Sequence, residues 1–554
     1  MSIPSRVLIA VAVLSASQVS AQQPALQAQA QPVALIPVPR EVRRVDAPMA
    51  VRLPVVVVAG RDSADRDAAA IFVAELAERR VPARTDDGRG WRVELLRTGG
   101  TAANRALADA GVTFDTAMRA EGYVLIAGED GARVVGASSA GVFYGLQTLV
   151  QLIGIAPSGP TVRPAVIRDW PALRWRGLHD DLSRGPVPTL EYQKRQIRAA
   201  AAFKINVWSP YFEQSLEYVS HPLAAPPGGA MSQADVRELV AYAERYHVML
   251  VPEQEAFGHM HHILKHELYS GLAETPHGHV LAPGDTGSLV LIRDMFTEIA
   301  QIFPGPFIHL GADETFELGR GRTKALVDSI KLGPVYLGFL SDIVKTLRPL
   351  MKDRRFMFWG DVAGGSPELV PTLPKDMIAV AWGYGANERP NLKPFRDAGL
   401  ETWVAPGVSS WNRVWPNFGS ALTNIRNYAR DGQAGGSTGL LNTVWDDDGD
   451  AIFEETWYGV LFGAAASWQS GESSIEQFQG AFGAVFHGDT TGAIDAAQRA
   501  LIAAHAALQR TRAGDGNTLL FFLDPWAPGE DTTVKRLRPV LSEVRVRAES
   551  ALVL

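Results

Sequence analysis

From Trp170 onward, short apolar runs alternate with stretches in which apolar positions recur every three or four residues. The first pattern is that of strands buried on both faces and the second that of helices with one apolar stripe. Their strict alternation predicts parallel strands joined by crossover helices. The strand candidates are LRWRGLHDD, INVWSPY, VMLVPEQ, FIHLGAD, RFMFWGD, MIAVAWG, TWVAPGV and LLNTVWD. Amphipathic stretches such as LEYQKRQIRAAAAF, SQADVRELVAYAERY, LVLIRDMFTEIAQIF and VYLGFLSDIVKTLRPLM separate nearly all of them. Eight such units over 167–470 fit a (β/α)8 TIM barrel. An open doubly wound sheet is the competing arrangement, but it ordinarily carries a glycine fingerprint after its first strand, and WRGLHDDLSRG is not one.

Upstream, 33–166 mixes β-type runs (VRLPVVVVAG, EGYVLIAGEDGARVVGAS) with helical ones (DRDAAAIFVAELAERR, SAGVFYGLQTLVQLIG), which predicts an α+β domain before the barrel. Downstream, 471–554 is mostly helical, with IDAAQRALIAAHAALQRT and TTVKRLRPVLSEVRVRAES joined by a Pro- and Gly-rich link, and reads as a helical C-terminal region. The first 21 residues place Arg6 before an apolar run, Val7 to Leu14, and then small residues up to Ala21. That is the layout of a secretory signal cleaved after Ala21, with 22–32 as a flexible lead-in. An uncleaved anchor or a buried helix is the alternative, but the run is shorter than the roughly 20 apolar residues of a membrane span. The expectation is an exported protein, periplasmic or secreted, with no membrane insertion after cleavage.

Composition narrows the function without naming it. The chain of 554 residues is 46% hydrophobic and 20% charged, with a mean hydropathy of -0.01, as a folded soluble protein requires. A net charge of -7 provides no attraction to phosphate backbones or anionic lipid, so nucleic acid is not an expected partner. The absence of cysteine excludes thiol catalysis and cysteine-ligated metal.

Candidate chemistry concentrates where strands end, since active sites of such barrels lie at their carboxyl face. Arg176, Glu253, Asp313, Asp361, Tyr384 and Asp446 all fall at or just past a predicted strand end. Strand FIHL runs into GADET, so Asp313 and Glu314 open side by side into the barrel mouth. Adjacent carboxylates repel when both ionise, so one can keep its proton while its neighbour stays charged, and an acid beside an anion suits cleavage of an acetal. A surface pair or a helix N-cap would show the same two letters. Trp359, Trp382, Trp445 and Trp411 end the late strands, where aromatic faces could pack on a sugar ring or simply fill the core. The histidines of PEQEAFGHMHHILKH lack the HExxH spacing of zinc hydrolases, and DDDGD lacks the spacing of a calcium loop. His259 is instead expected as a single polar group near the mouth, and Asp446 as a carboxylate binding hydroxyls.

With these segments assembled, the chain resembles the family 20 glycoside hydrolases, the β-N-acetylhexosaminidase family. WRGLHDDLSR is similar to that family's Arg-Gly-x-x-x-Asp-x-x-Arg pattern, KINV to its second strand, VPEQEAFGH to its Pro-Glu-x-x-x-x-Gly-His segment and HLGADE to its His-x-Gly-x-Asp-Glu signature. The stretch ending in EGYVLIAGEDGARVVGASSAGVFYGLQTLVQLI is similar to the α+β domain preceding the barrel. The resemblance implies a retaining exo-glycosidase that removes terminal β-linked N-acetylhexosamine from an oligosaccharide or glycoconjugate, with no cofactor and no metal. It implies Glu314 as general acid/base and Asp313 as the residue orienting the substrate's 2-acetamido group, whose oxygen closes an oxazolinium ring on the anomeric carbon. It implies Arg176 holding sugar hydroxyls, His259 supporting the acid, and Trp359, Trp382 and Trp445 walling the pocket.

Two segments depart from the family pattern. After KINV the usual His-Trp-His-x-x-Asp is replaced by WSPYFEQS, which leaves Glu213 as the nearest carboxylate. At the seventh strand the usual Tyr-x-Asp is replaced by WVAPGVSSWNR, which leaves Trp411 and Asn412. These departures bear on the sugar, so a modified hexosamine, release of a disaccharide, or a binding protein without turnover stand as alternatives.

Overall fold

The computed structural model describes residues 34–516, 522–524 and 526–554. The expected signal peptide and lead-in lie outside the described residues. Eight parallel strand positions form where the eight apolar runs stand: Trp175–Asp181, Val207–Phe212, Met249–Leu250 continued by Glu253–Gln254, Phe307–His309, Arg355–Trp359, Ile378–Trp382, Glu401–Ala405 and Gly439–Val444. The third is split at Pro252, which has no N–H to give to a ladder. Each strand pairs with the next, and the first pairs with both the second and the eighth, which closes the barrel.

The period-2 alternation inside each strand explains why these runs are apolar throughout. Met357, Trp359, Ile378, Val380 and Trp403 point into the barrel and pack on one another. Their neighbours Phe356, Phe358, Ala379 and Ala381 point out against the helices. The crossover helices Leu190–Ala202, Gln233–Arg245, Thr286–Ile302 and Leu332–Leu347 occupy the predicted amphipathic stretches. Phe453–Trp468 follows the last strand and is buried along most of its length.

Upstream of the barrel a seven-stranded mixed sheet runs in the order Glu41–Val45, Ala165–Asp169, Tyr123–Gly128, Gly131–Gly136, Trp91–Arg97, Val55–Val58 and Ala83–Thr85. Helices Ser63–Glu78 and Ser139–Leu152 pack together against it. Downstream, helices Ala493–Arg510 and Glu530–Val553 pack against each other.

Two ion pairs, one buried on both sides and one half-buried, join the first domain to the amino end of the barrel. Asp169, at the end of its sheet strand, accepts hydrogen bonds from Lys204 Nζ at 2.9 Å, Tyr123 Oη at 2.7 Å and Trp468 Nε1 at 2.9 Å. Asp169 and Lys204 are both buried. Desolvation lowers the Lys204 pKa, and the Asp169 carboxylate opposes that shift. The second pair corrects an expectation. Arg176 is the second residue of the first strand, so it lies at the amino end of the barrel, away from the mouth. It is fully buried, pairs with Glu121 at 2.7 Å, and donates to the carbonyls of Lys204 and Leu173. It holds the domains together and cannot reach a ligand at the carboxyl face.

Removing Asp169 strands a buried ammonium. Asp169→Ala should therefore destabilise the protein by about 3–5 kcal/mol, whereas Asp169→Leu combined with Lys204→Met should recover most of the loss. Urea unfolding midpoints of the three proteins check this, and a single variant that unfolds with the wild type would refute it.

Candidate functional site

The carboxyl ends of the strands surround a pocket of about 210 Å³ lined by Arg184, Tyr211, His259, Asp313, Glu314, Trp382, Tyr384, Trp411, Trp445 and Asp447. The fourth strand stops at His309 and the chain turns sharply through Gly311 (φ +63°), Ala312 (φ +73°) and Glu314 (φ +45°). Left-handed backbone at two non-glycine residues costs about 1–3 kcal/mol each and persists only where the surroundings enforce it. Here the Gly311 N–H donates to His309 Nδ1, the Gly311 carbonyl accepts from the Trp359 N–H, Tyr336 Oη donates to the Ala312 carbonyl, and the Glu314 N–H donates to Asp361 Oδ2. Gly258 lets the neighbouring loop approach so closely that a β-carbon there would meet the Asp313 carbonyl at 2.3 Å.

The turn brings both carboxylates onto one nitrogen. His259 Nε2 lies 3.6 Å from Asp313 Oδ2 and 3.5 Å from Glu314 Oε2. Asp313 is 7% exposed, while the Glu314 side chain is 37% exposed. Burial favours the neutral forms of both His259 and Asp313, but their mutual attraction outweighs it. The His259 pKa is raised well above its ordinary value by Asp313 and Glu314, and that of Asp313 is lowered by His259. Behind them Glu255 is 1% exposed and accepts from the Ala312 N–H at 3.2 Å, and burial and the charge of Asp313 raise its pKa well above the ordinary value. Burial and the same charge push Asp361 up to about 7.

Glu213 is buried behind the pocket, 2.9 Å from Arg184 Nη2, 3.0 Å from Tyr211 Oη and 3.8 Å from His259 Nδ1. It therefore sits beside both Arg184 and His259, and Arg184 Nη2 lies 3.4 Å from His259 Nδ1. Arg184 also pairs with Asp181 at 2.9 Å and lies over the rings of Tyr211 and Trp445. On the opposite side Trp382 stacks on Tyr384, Trp411 packs on Tyr384 with ring centres 4.5 Å apart, and Trp445 Nε1 donates to Tyr384 Oη.

Of the residues expected from sequence, Asp313, Glu314, His259, Trp382, Trp411 and Trp445 line this pocket, with Glu213 directly behind it. Three others do not line it. Arg176 is at the far end of the barrel, and Arg184, in the same WRGLHDDLSR segment, takes the place at the mouth. Counting along the strand would have separated them, since Arg184 follows the strand's last residue and Arg176 nearly begins it. Trp359 is fully buried beneath the pocket, donating to Glu253 Oε1 at 2.6 Å behind Trp445. Asp446 turns away to accept the Ala451 N–H, and its neighbour Asp447 faces the pocket. Tyr211 and Glu255 carried no distinct signal, because each reads as one polar or aromatic position inside an apolar strand end.

His259, Asp313 and Glu314 also place their ligand atoms within 4.8 Å of one another. A doubly protonated imidazole has no lone pair for a cation, so a metal ion there would have to displace the His259 proton.

A barrel with an acid pair and an aromatic wall at its carboxyl mouth is the arrangement that acetal cleavage in a sugar requires. Comparison gives the family. The model described as glycosyl hydrolase family 20, catalytic domain, matches residues 210–407, and that described as glycosyl hydrolase family 20, domain 2, matches residues 33–170. The chain is 30% identical over 239 residues to a β-hexosaminidase of Porphyromonas gingivalis, covering 37% of this chain and 30% of that protein. It is 26% identical over 322 residues to a β-N-acetylhexosaminidase of Cellulomonas fimi, covering 52% of this chain and 59% of the relative. The matches thus span less than two thirds of either relative. Among solved structures, the fold is shared with an exo-β-N-acetylglucosaminidase of Vibrio harveyi (TM-score 0.64, 19% identity, 81% of this chain and 76% of that one). It is shared equally with a chitobiase of Flavobacterium johnsoniae (TM-score 0.66, 17% identity, 93% of this chain and 86% of that one). The chain belongs to glycoside hydrolase family 20.

The His259–Asp313 pair has a defined pH window. The raised His259 pKa contributes stability that is fully present below about 6.5 and is lost as pH rises through the raised value; the lowered Asp313 pKa contributes stability present above about 3.9 and lost as pH falls through the lowered value. In a nitrogen-15 correlation spectrum His259 should remain doubly protonated at pH 7.5, and Asp313→Asn should return its titration toward the ordinary range. Titration near 6.5 in the unmodified protein would contradict the pair.

Proposed function

We propose that the protein is a retaining exo-glycosidase that hydrolyses terminal, non-reducing, β-linked N-acetylhexosamine, GlcNAc or GalNAc. The observation that carries this reading is the placement of Asp313 and Glu314 on one His259 nitrogen inside an aromatic-walled pocket. Their nearest carboxylate oxygens lie within 4.8 Å of each other, closer than the roughly 6.5–9.5 Å between the carboxyl groups of an inverting pair. With both acids on one side of the sugar, the nucleophile is the substrate's own acetamido oxygen. Asp313, charged and buried, holds the acetamido N–H and stabilises the positive charge that develops on the oxazolinium ring. Glu314, open to the mouth, gives its proton to the leaving oxygen and then takes one from water. Arg184 offers its planar fork to the sugar hydroxyls, a geometry lysine cannot reproduce.

The pocket, at about 210 Å³, is below the roughly 300–1,000 Å³ that accommodates larger ligands, which supports binding of one terminal sugar. The names of the relatives support the same sugar class. The N-terminal sequence supports export, so the glycan would be met outside the cytoplasm.

One observation favours a second reading, in which the terminal sugar carries a further group. A cleft of about 480 Å³ adjoins the pocket across Arg184, walled by Pro186, Val187, Tyr192, Ile452 and Phe453. Substituted or extended hexosamines tested beside the simple ones distinguish the readings.

Hydrolysis of pNP-β-GlcNAc or pNP-β-GalNAc tests the assignment. Glu314→Gln should lower kcat by about 10²–10⁴-fold, the usual contribution of a general acid, with the fold unchanged by circular dichroism. Unimpaired turnover in that variant would overturn it.

A further inference from the structure

Trp411 lies on the loop between the seventh strand and the helix Phe418–Gly435, and this loop is not held by the barrel alone. Ser409 (φ +59°) and Asn412 (φ +60°) flank Trp411 in left-handed backbone, and the Asn412 side-chain oxygen is buried without a hydrogen-bond partner. A loop with this strain keeps its shape only if something over-determines it. The restraint comes from the C-terminal region. The Asp515 carboxylate, 7% exposed, accepts from Arg413 Nη2 at 2.6 Å and from Asn417 Nδ2 at 2.6 Å, and lies 3.1 Å from His505 Nδ1. The other terminal nitrogen of Arg413, Nη1, donates to the Trp411 carbonyl at 2.9 Å. A single guanidinium therefore connects the C-terminal carboxylate to the backbone of a pocket-wall residue. The chain next to Asp515 also touches the loop, since a β-carbon at Gly516 would meet the Asn412 carbonyl at 3.2 Å.

On the inner side, Trp411 packs on Tyr384, and Ser410 Oγ donates to the Trp445 carbonyl. A displacement of the loop would reach both rings facing the sugar. The Asp313, Glu314 and His259 cluster stands on other strands and would not be displaced with it.

We propose that Asp515 is a positioning residue for substrate recognition: through Arg413 it fixes Trp411, and so makes the C-terminal region a structural part of the sugar-binding wall. The affinity consequence rests on the pocket being the hexosamine site. The restraint on Trp411 does not.

Asp515→Asn keeps the shape and removes the charge. It should raise KM for pNP-β-GlcNAc, and weaken binding of N-acetylglucosamine-thiazoline followed by tryptophan emission, by about ten-fold. It should change kcat by less than about twofold, because the acid pair is untouched. In a Trp411→Ala background, Asp515→Asn should add nothing, while Asp515→Glu in the unmodified background should restore most of the affinity. Unchanged affinity, or effects that multiply with those of Trp411→Ala, would overturn the proposal, even if Asp515→Asn lowers the melting temperature. The fluorine spectrum of 5-fluorotryptophan-labelled protein separates this from the functional reading. The Trp411 resonance, assigned with Trp411→Phe, should shift or broaden in Asp515→Asn whether or not the protein hydrolyses any amino sugar, and an unmoved resonance would overturn the restraint itself.

Discussion

The His259 imidazolium, 3.6 Å from Asp313 Oδ2 and 3.5 Å from Glu314 Oε2, is the interaction on which the rest of the pocket depends. Acidic side chains crowd this end of the barrel, and only Arg184 and His259 among the pocket-lining residues bring positive charge. So few cations cannot neutralise so many buried carboxylates, and the environment resolves the excess by protonation. Glu255 and Asp361 are shifted upward by burial and by the charge of Asp313, which for Glu255 outweigh the attraction of His259, while Asp313, against His259, is shifted downward. Without the charge of His259, Asp313 would be left with burial, which raises its pKa, and without the attraction that lowers it.

Backbone geometry makes this arrangement possible. In an extended strand Asp313 and Glu314 would point to opposite faces and could not share a partner. The left-handed turn from Gly311 to Glu314 rotates the second carboxylate round to the first. Its strain is held by donors and acceptors from the end of its own strand, His309, and of the next strand, Trp359 and Asp361, together with Tyr336 from the helix between the two. The geometry of the acid pair is therefore a property of one βαβ unit, because the groups that hold the turn come from its own strand, the crossover helix and the next strand.

The barrel was legible because each strand is apolar on both faces and each crossover helix on one, so two periodicities alternate along the chain. The acid pair was legible because it directly follows a strand. What was misread followed from treating a motif as a unit without its direction. Arg176 and Arg184 stand in one segment, yet the strand between them carries the first to the domain junction and the second to the pocket. Trp359 ends its strand as Trp382 does, but its indole turns onto Glu253, a buried acceptor far away in sequence. Asp446 and Asp447 are indistinguishable as letters, and the hydrogen bond of Asp446 to Ala451 decides which of them faces inward.

These outcomes share a physical cause. The side of the pocket that bears charge is built from strand ends whose partners are the adjacent strands, so pattern and order along the chain suffice to find it. The side that bears aromatic surface is built on a strained loop whose restraint lies about one hundred residues further on, in Asp515. Nothing local marks such a contact: Arg413 and Asp515 look like surface charges until folding brings them together beneath Trp411. The pocket thus joins two independently supported halves. With Asp515 in the proposed positioning role, changes in the C-terminal region would alter the aromatic wall while leaving the Asp313, Glu314 and His259 cluster in place, because that cluster stands on other strands.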